Sequence, residues 1–290
     1  MVQLAQNIAS VSDFLSGEID LCSPPEVFMR ISEALDKHTT TADDIAKIIE
    51  QDPSLSARML KIVNSAFYGF PATVQTISKA ITILGDREIR LLVITTSVIE
   101  KFSSLPNTLL NMKQFWSHSL ETALFAKFLS EHHPKCNQLS SIFISGLLHD
   151  IGRLVMYKKA PELARSAVLL SKASQLSDID AEIATFGFTH ADVGGGLLEM
   201  WKIPDAIQAP AKYHHHPQLS SSHQLESTLI YLANNLAHLS TTTDENEITH
   251  TLLVDDPAWK QVGLTYNVVP SVTASVNDQF KKTYALFFGH

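Results

Sequence analysis

Hydrophobic positions recur at helical spacing along most of the chain, and strand-like alternation is not seen. Val27, Phe28, Ile31 and Leu35 form one such stripe. Residues three or four apart lie on one face of an α-helix, so each stripe predicts a helix that buries that face. The pattern therefore predicts an all-α fold.

Capping signals predict where several helices begin and end. Thr41 and Thr189 each precede an aspartate by three residues, which is the spacing of a capping box. Asp52 precedes a proline, a combination that favours the first turn of a helix. Gly85 predicts a helix end. In the second half of the chain we predict helices over 113–132, 141–158, 161–173, 227–239 and 279–288, and a loop over 240–247.

A polar segment over 103–111, which contains Pro106 and Asn107, predicts a boundary between two lobes. We therefore expect a two-lobed helical bundle, with an N-terminal helical lobe over 1–105. A second helical lobe over 106–240 and a C-terminal extension over 241–290 would follow.

Composition narrows the classes of function. Hydrophobic residues make up 45% of the 290 positions, as in a globular protein, and the formal net charge is −8 without a long Lys/Arg run. Nucleic-acid binding relies on neutralising phosphates, so it is not expected. Cys22 and Cys136 are isolated, which is typical of a reducing compartment. We see no secretory signal and no apolar run of roughly 18 residues, and expect a cytoplasmic protein without membrane contact.

Histidines and one aspartate in the second half form the candidate chemistry. The candidate ligands are His118, His149, Asp150, His190, His214 and His215, with His216 beside them. Imidazole and carboxylate suit a divalent ion of the Fe, Mn or Zn type. The adjacent His149 and Asp150 are expected on one helix, where both could face a single centre.

Each candidate also has an ordinary structural explanation. A single histidine such as His118 or His190 is more often a capping or partly buried residue than a ligand. The run 214–216 could be a polar loop, and the His149–Asp150 pair could be a core hydrogen bond. Taken together and in this order, the set is more specific than any member. The glycines at 194–196 favour close helix packing beside the cluster over a phosphate loop.

Ordered motifs in both lobes make the sequence similar to the HDOD family, within the HD superfamily of metal-dependent phosphohydrolases. The resemblance covers roughly residues 20–217. It is carried by Asp52-Pro53, Arg58-Met59-Leu60, Asn64-Ser65, Tyr68-Gly69, Ala80-Ile81, Leu84-Gly85, Leu148-His149-Asp150-Ile151-Gly152 and His214-His215-His216-Pro217. It implies a helical bundle and a role in bacterial signal transduction, with other signalling proteins as partners and a nucleotide as a candidate ligand.

The related catalytic family HD-GYP, which hydrolyses cyclic di-GMP at a centre of two or three metals, supplies the expected ligand roles. By this resemblance His118 matches the first ligand, and His149 with Asp150 matches the HD pair. His190 matches the next ligand, and His214 with His215 matches the paired histidines. The resemblance thus implies one or two bound divalent ions.

Several positions depart from the catalytic pattern. Asn234 stands where the catalytic family has its last aspartate ligand, and the GYP signature is absent after the paired histidines. Gln114 stands where some relatives have a glutamate. Arg153 replaces a lysine and is a candidate phosphate contact, although we favour an ordinary surface charge. Asparagine is the weaker ligand, so we expect one ion to bind well and a second weakly.

Three functions are weighed. The favoured one is a signalling module whose altered HD site binds metal without catalysis. The second is a metal-dependent phosphohydrolase or phosphodiesterase acting on a nucleotide or cyclic dinucleotide. The third, a nucleic-acid binder, is disfavoured by the net charge of −8.

Overall fold

The structure is a computed structural model that describes residues 10–16, 24–37, 39–65, 68–103, 110–135, 139, 141–241 and 253–288. Within these ranges the secondary structure consists of α-helices and short 3-10 segments, without a β-strand. The all-α prediction is confirmed. In the same ranges, no helix combines the length and the apolar character needed to cross a membrane.

The chain divides into two compact units. The smaller unit comprises Ser23–Leu105 and Lys281–His290, and the larger comprises Met1–Cys22 and Pro106–Phe280. The predicted boundary residues Pro106 and Asn107, and both cysteines, lie outside the described residues.

The smaller unit contains five consecutive helices and the helical segment 281–287. The five helices are α2 (Glu26–Asp36), α3 (Ala42–Ile49), α4 (Pro53–Val63), α5 (Ile77–Leu84) and α6 (Asp86–Ser103). The capping box of Thr41 and Asp44 is present at the start of α3. Asp52 caps α4 by accepting hydrogen bonds from two backbone N–H groups. Gly85 ends α5 with a φ of 80°, a conformation that suits glycine. These capping predictions are confirmed.

The larger unit contains the remaining helices. They are α1 (Val11–Leu15), α7 (Met112–Glu131), α8 (Ile142–Leu148), α9 (Ile151–Lys159), α10 (Pro161–Ser174), α11 (Asp178–Phe186), α12 (His190–Met200), α13 (Asp205–Tyr213), α14 (Gln224–Thr241), α15 (Ala258–Gln261) and the start of α16 (Val269–Phe287). All seven residues of α8 are buried, so this helix lies in the core of the unit. A Cβ atom at Gly146 would lie 2.6 Å from the Ala123 Cα, so α8 meets the backbone of α7 directly.

Glycines also bring α9 and α13 close to α12. A Cβ atom at Gly152 would lie 2.0 Å from the His190 carbonyl oxygen and 2.6 Å from the Gly194 backbone nitrogen. Only glycine fits at this crossing of α9 and α12. A Cβ atom at Gly195 would lie 2.7 Å from the Lys212 Cβ on α13, and this confirms the packing interpretation of residues 194–196.

Some predicted elements were wrong. The single helix predicted over 141–158 is two helices, α8 and α9, which break at His149 and Asp150. Ser240 belongs to α14 rather than to a loop, and residues 242–247 of that predicted loop lie outside the described residues. The helix predicted over 279–288 is confirmed as helical through Phe287, but the helix begins earlier than predicted, at Val269, and is α16. Helices α1, α11, α13 and α15 were not predicted.

Candidate metal centre

The HD dipeptide lies at the break between α8 and α9, not on one helix as predicted. His149 follows the last residue of α8, and Asp150 precedes α9 with a φ of −97° and a ψ of 9°. Both side chains are buried, at 0% and 6% exposure. The break therefore places the carboxylate and the imidazole inside the larger unit, where each needs a polar or ionic partner.

The first turn of α12 positions His190. Thr189 and Asp192 form the predicted capping box, which fixes the start of this helix. The His190 Nδ1 atom lies 2.8 Å from a carboxylate oxygen of Glu182 on α11, and the His190 backbone N–H donates to the same oxygen. The Nε2 atom of His190 is thereby directed at Asp150, with 3.0 Å between Nε2 and Oδ1.

The end of α13 supplies the paired histidines. The His214 Nδ1–H donates to the Ala211 carbonyl oxygen at 2.9 Å. The His214 Nε2 atom lies 3.4 Å from the His190 Nε2 and 3.6 Å from the Asp150 Oδ1. The His215 Nε2 atom lies 3.0 Å from the His190 Nε2. His190, His214 and His215 thus form one group of convergent nitrogens, which we call position 1.

A second group joins α7 to the HD dipeptide. Ligand atoms of His118, His149 and Asp150 lie within 4.8 Å of one another, and we call this group position 2. The His149 Nδ1–H donates to the Gly146 carbonyl oxygen at 2.7 Å. The Nε2 atoms of His118 and His149 and the Oδ1 atom of Asn234 are buried and lack a hydrogen-bond partner within the described residues.

The donor geometry fits a divalent ion. Two ligand atoms about 2.1 Å from one ion, at tetrahedral or octahedral angles, lie roughly 3.0–3.4 Å apart. The His190 Nε2 atom lies 3.0 Å from the Asp150 Oδ1, 3.0 Å from the His215 Nε2 and 3.4 Å from the His214 Nε2, all within this range. The Nδ1–H groups of His149, His190 and His214 are engaged by oxygen acceptors, so the lone pairs on their Nε2 atoms face the centre. Lone pairs that face one another in this way repel, and a cation bound between them relieves that repulsion. The cluster can therefore hold a metal.

Burial keeps most of the imidazoles in the neutral form that a metal requires. Burial lowers the pKa of His149 well below its ordinary value of 6.5. It also lowers the pKa of His118, His214 and His215, since a charged ring is poorly solvated there. These rings stay available as ligands at neutral pH.

Two groups at the centre respond to neighbouring charge more than to burial. Burial alone would raise the pKa of Asp150, but the guanidinium of Arg153 and the ring of His190 outweigh it and hold the pKa well below its usual range. Burial and Arg153 lower the pKa of His190, but the carboxylates of Asp150 and Glu182 outweigh them and raise it. The centre therefore carries a permanent negative charge at Asp150.

Arg153 is not the ordinary surface charge that we favoured from the sequence. Its side chain is only 20% exposed, and its Nε atom lies 3.3 Å from the Asp150 Oδ2. Its Nη1 atom lies 3.3 Å from the Asp178 Oδ2. The guanidinium is thus held between two carboxylates. This pairing reserves one oxygen of Asp150 for Arg153, while the other oxygen, Oδ1, faces the histidines.

Sequence reasoning missed two residues at the centre. Glu182 lies on the unpredicted helix α11, and no sequence signal links it to His190 eight residues later. His238 lies on α14, and its ring centroid is 4.4 Å from that of His118. Its spacing of four residues from Asn234 could have indicated a shared helix face. Gln114 and His216, which the sequence analysis named beside the candidate ligands, are both exposed.

A model of the HDOD domain family matches residues 21–217. The chain is 24% identical, over 253 residues, to an uncharacterised protein of Treponema pallidum (strain Nichols). That alignment covers 87% of this chain and 48% of the relative, so the chain spans about half the length of the relative.

Two solved structures share the fold. An HDOD domain protein of unknown function from Geobacter sulfurreducens is 24% identical, with a TM-score of 0.74 and coverage of 96% of this chain and 97% of the other. A candidate phosphohydrolase from Shewanella amazonensis SB2B is 20% identical, with a TM-score of 0.68 and coverage of 97% and 96%.

Proposed function

The chain belongs to the HDOD family, and we propose that it is a signalling domain whose altered HD-type site holds one divalent ion tightly and does not hydrolyse phosphoesters. The observation that carries this proposal is the inequality of the two metal positions. Position 1 has three imidazoles and the Oδ1 atom of Asp150, whereas position 2 has an asparagine where the catalytic relatives have an aspartate.

Position 1 has the donors of a tight site. The rings of His190 and His214 are fully buried, and the Glu182 carboxylate and the Ala211 carbonyl fix their orientation. Partners of this kind preorganise ligands, so less free energy is lost when the ion binds. With the carboxylate of Asp150 the donor set becomes three nitrogens and one oxygen, which suits Zn, Fe or Mn.

Position 2 is expected to bind a divalent ion more weakly than position 1. Asn234 offers a neutral oxygen in place of a carboxylate, so it neutralises less of the charge of an ion. The second oxygen of Asp150, which could bridge to another ion, is engaged by Arg153 at 3.3 Å. Both features lower the affinity for a second ion without abolishing it.

This inequality bears directly on the chemistry. When two ions are bound about 3.5–4 Å apart, they can activate a water and clamp an in-line displacement at phosphorus. With a weak second position, the residues of this chain bind and orient rather than catalyse. Asp150 balances the charge of the ion, Glu182 orients His190, and Arg153 fixes the carboxylate of Asp150. The role of Arg153 as a phosphate contact is correspondingly less favoured.

A phosphohydrolase is the second candidate, and the otherwise complete imidazole set favours it. Turnover separates the two functions. Metal-loaded wild-type protein is mixed with bis(p-nitrophenyl) phosphate, with a nucleotide panel and with cyclic di-GMP, and Asp150→Ala is the background. We expect no turnover above that background. Turnover that disappears in Asp150→Ala would show that the site is catalytic and would overturn the proposal.

A gain-of-ligand pair tests the reason for the inequality. Asn234→Asp restores a carboxylate at position 2, and we expect it to raise the occupancy of a second Mn²⁺. Asn235→Asp adds the same charge on the next residue of α14, where the native amide donates to the Tyr231 carbonyl. If both variants bind the second ion equally, or neither differs from wild type, the missing carboxylate is not the cause of the weaker binding at position 2.

A further inference from the structure

Helix α14 brings a histidine beside His118 of position 2, and this histidine lies outside the ligand set implied by the HD-type motifs. His238 follows Asn234 by four residues, which places both side chains on one face of α14. The centroid of the His238 ring lies 4.4 Å from the centroid of the His118 ring, with an angle of 32° between the planes. His118 is a member of position 2.

The ring spacings at position 2 match those of the convergent histidines at position 1. At position 1 the three pairs of ring centroids are 5.4 Å, 5.0 Å and 4.0 Å apart. At position 2 the His118 centroid is 5.4 Å from that of His149 and 4.4 Å from that of His238. Both separations fall within the range of the first group. The His238 ring is thus as close to the His118 ring as the rings of position 1 are to one another.

A second, independent observation points to a ligand at this place. Three polar atoms of position 2 and its border are buried without a hydrogen-bond partner among the described residues: the Nε2 atoms of His118 and His149 and the Oδ1 atom of Asn234. Each such atom costs free energy unless a donor or a cation meets it. The His149 Nε2 atom is an electron-pair donor, because the Nδ1–H of this ring donates to the Gly146 carbonyl oxygen. A cation satisfies it together with the Asn234 Oδ1 atom and a His118 ring that carries its proton on Nδ1.

From these observations we infer that His238 is a ligand at position 2 and makes it a zinc-selective, exchangeable site. The inference rests on the proposed function and deepens it. With His238, the donors are three imidazoles and the neutral Asn234 oxygen, beside an Asp150 carboxylate whose Oδ2 atom is paired with Arg153. A set so rich in nitrogen favours Zn²⁺ over Mn²⁺ or Mg²⁺, which prefer oxygen ligands.

Exposure makes this site different from position 1. The His238 side chain is exposed, whereas the most exposed member of position 1, His215, is half-buried. An ion at position 2 is thus reached from solvent through His238, and it joins α7 to α14. Zinc availability would then set the occupancy of position 2, while position 1 stays filled.

Zinc titration of the full chain tests the inference. Protein whose position 1 is already filled is titrated with Zn²⁺ against a chromophoric chelator, and Mn²⁺ serves as the comparison ion. Wild-type protein is expected to bind one further Zn²⁺ and to bind Mn²⁺ more weakly. His238→Ala should weaken the second Zn²⁺ by about 10-fold or more, because a direct ligand is lost. Substitution of Co²⁺ at position 2 gives a visible absorption band that should change in the variant.

Matched variants keep the outcomes distinct. His238→Gln retains hydrogen bonding but is a poor ligand, and it should behave as His238→Ala does. His223→Ala removes a histidine that precedes the same helix and pairs with Glu226, and it should leave zinc binding unchanged. If wild type and His238→Ala bind the second Zn²⁺ equally, the inference fails and the proposed function stands. If wild type retains no ion at position 1, the proposed function itself fails.

Discussion

Gly152 holds the HD dipeptide against the start of α12. Its missing side chain is what allows Ile151–Lys159 to approach the His190 carbonyl, because a Cβ atom would lie 2.0 Å from that oxygen. The same approach brings the Asp150 Oδ1 to 3.0 Å from the His190 Nε2. The glycine of this motif therefore has a geometric role at the centre rather than a chemical one.

We predict that Gly152→Ala destabilises the protein by about 3 kcal/mol or more, since the added methyl group meets backbone rather than a movable side chain. Metal content should fall with it. Gly196→Ala is the matched control, since its Cβ atom would lie 3.1 Å from side-chain atoms of Leu15 and Val11, which can shift. Urea unfolding and metal analysis measure both effects. Equal stability losses in the two variants would contradict the role given to Gly152.

Glu182 orients His190 through its Nδ1 atom. We predict that Glu182→Gln lowers metal affinity by about 10- to 100-fold with little change in fold, as is typical when the partner of a ligand is altered. Glu199→Gln, on the exposed face of α12, is the control and should leave the affinity unchanged. Competition with a chelator gives the affinities. An unchanged affinity in Glu182→Gln would mean that the carboxylate only caps the helix.

Glu88 in the smaller unit gives a pH prediction independent of the metal. Burial raises the pKa of Glu88, whose carboxylate accepts a hydrogen bond from the Tyr68 hydroxyl. A folded-state pKa above the unfolded one means that ionisation costs more in the folded state. The free energy of unfolding should therefore fall as pH rises from about 4.3 through the raised pKa. Urea titrations at several pH values measure the free energy of unfolding, and Glu88→Gln should remove this fall. If the variant and the wild type show the same pH profile, Glu88 is not its cause.

At the scale of elements, the sequence predicted capped helices well and the centre only in outline. The stripes and caps of α3, α4 and α5 depend on residues a few positions apart, so local spacing was sufficient. The break between α8 and α9 is not marked by proline, and Gly152 follows it, so a continuous helix was predicted. Helices α11 and α13 were missed although each has nine residues, one more than α3 or α5. Glu182 and Arg153 act through tertiary contacts that no local pattern encodes.

The capping box of α12 links helix stability to the metal. Thr189→Ala removes the hydrogen bond that the Asp192 backbone N–H donates to the threonine hydroxyl at 3.1 Å. We predict a loss of about 1 kcal/mol in stability and a lower metal affinity, since His190 is the first residue of this helix. Thr41→Ala removes the equivalent cap of α3 in the smaller unit. It should cost similar stability and leave the affinity unchanged. If Thr189→Ala and Thr41→Ala lose metal affinity to a similar extent, the capping box of α12 has no specific effect on the metal.

At the scale of the molecule, the match to the HDOD family ends at residue 217, but the larger unit continues beyond it to Phe280. The Tyr231 hydroxyl of α14 donates to the Asp256 carboxylate at 2.7 Å, and the Trp259 indole N–H donates to the Leu253 carbonyl at 2.9 Å. The segment that includes α15 is thus built into the same unit as the metal centre. The ligands of position 1 come from the α8–α9 break, the start of α12 and the end of α13, so one ion would join elements far apart in sequence.

Elemental analysis of protein purified without added metal tests the central claim most directly. Wild type and His214→Ala are compared, with His216→Ala as a control for an exposed neighbour. We predict one ion per chain in wild type and in His216→Ala, and its loss in His214→Ala. Two ions per chain in the purified wild type, no ion at all, or one ion retained in His214→Ala would contradict a single tight site at position 1.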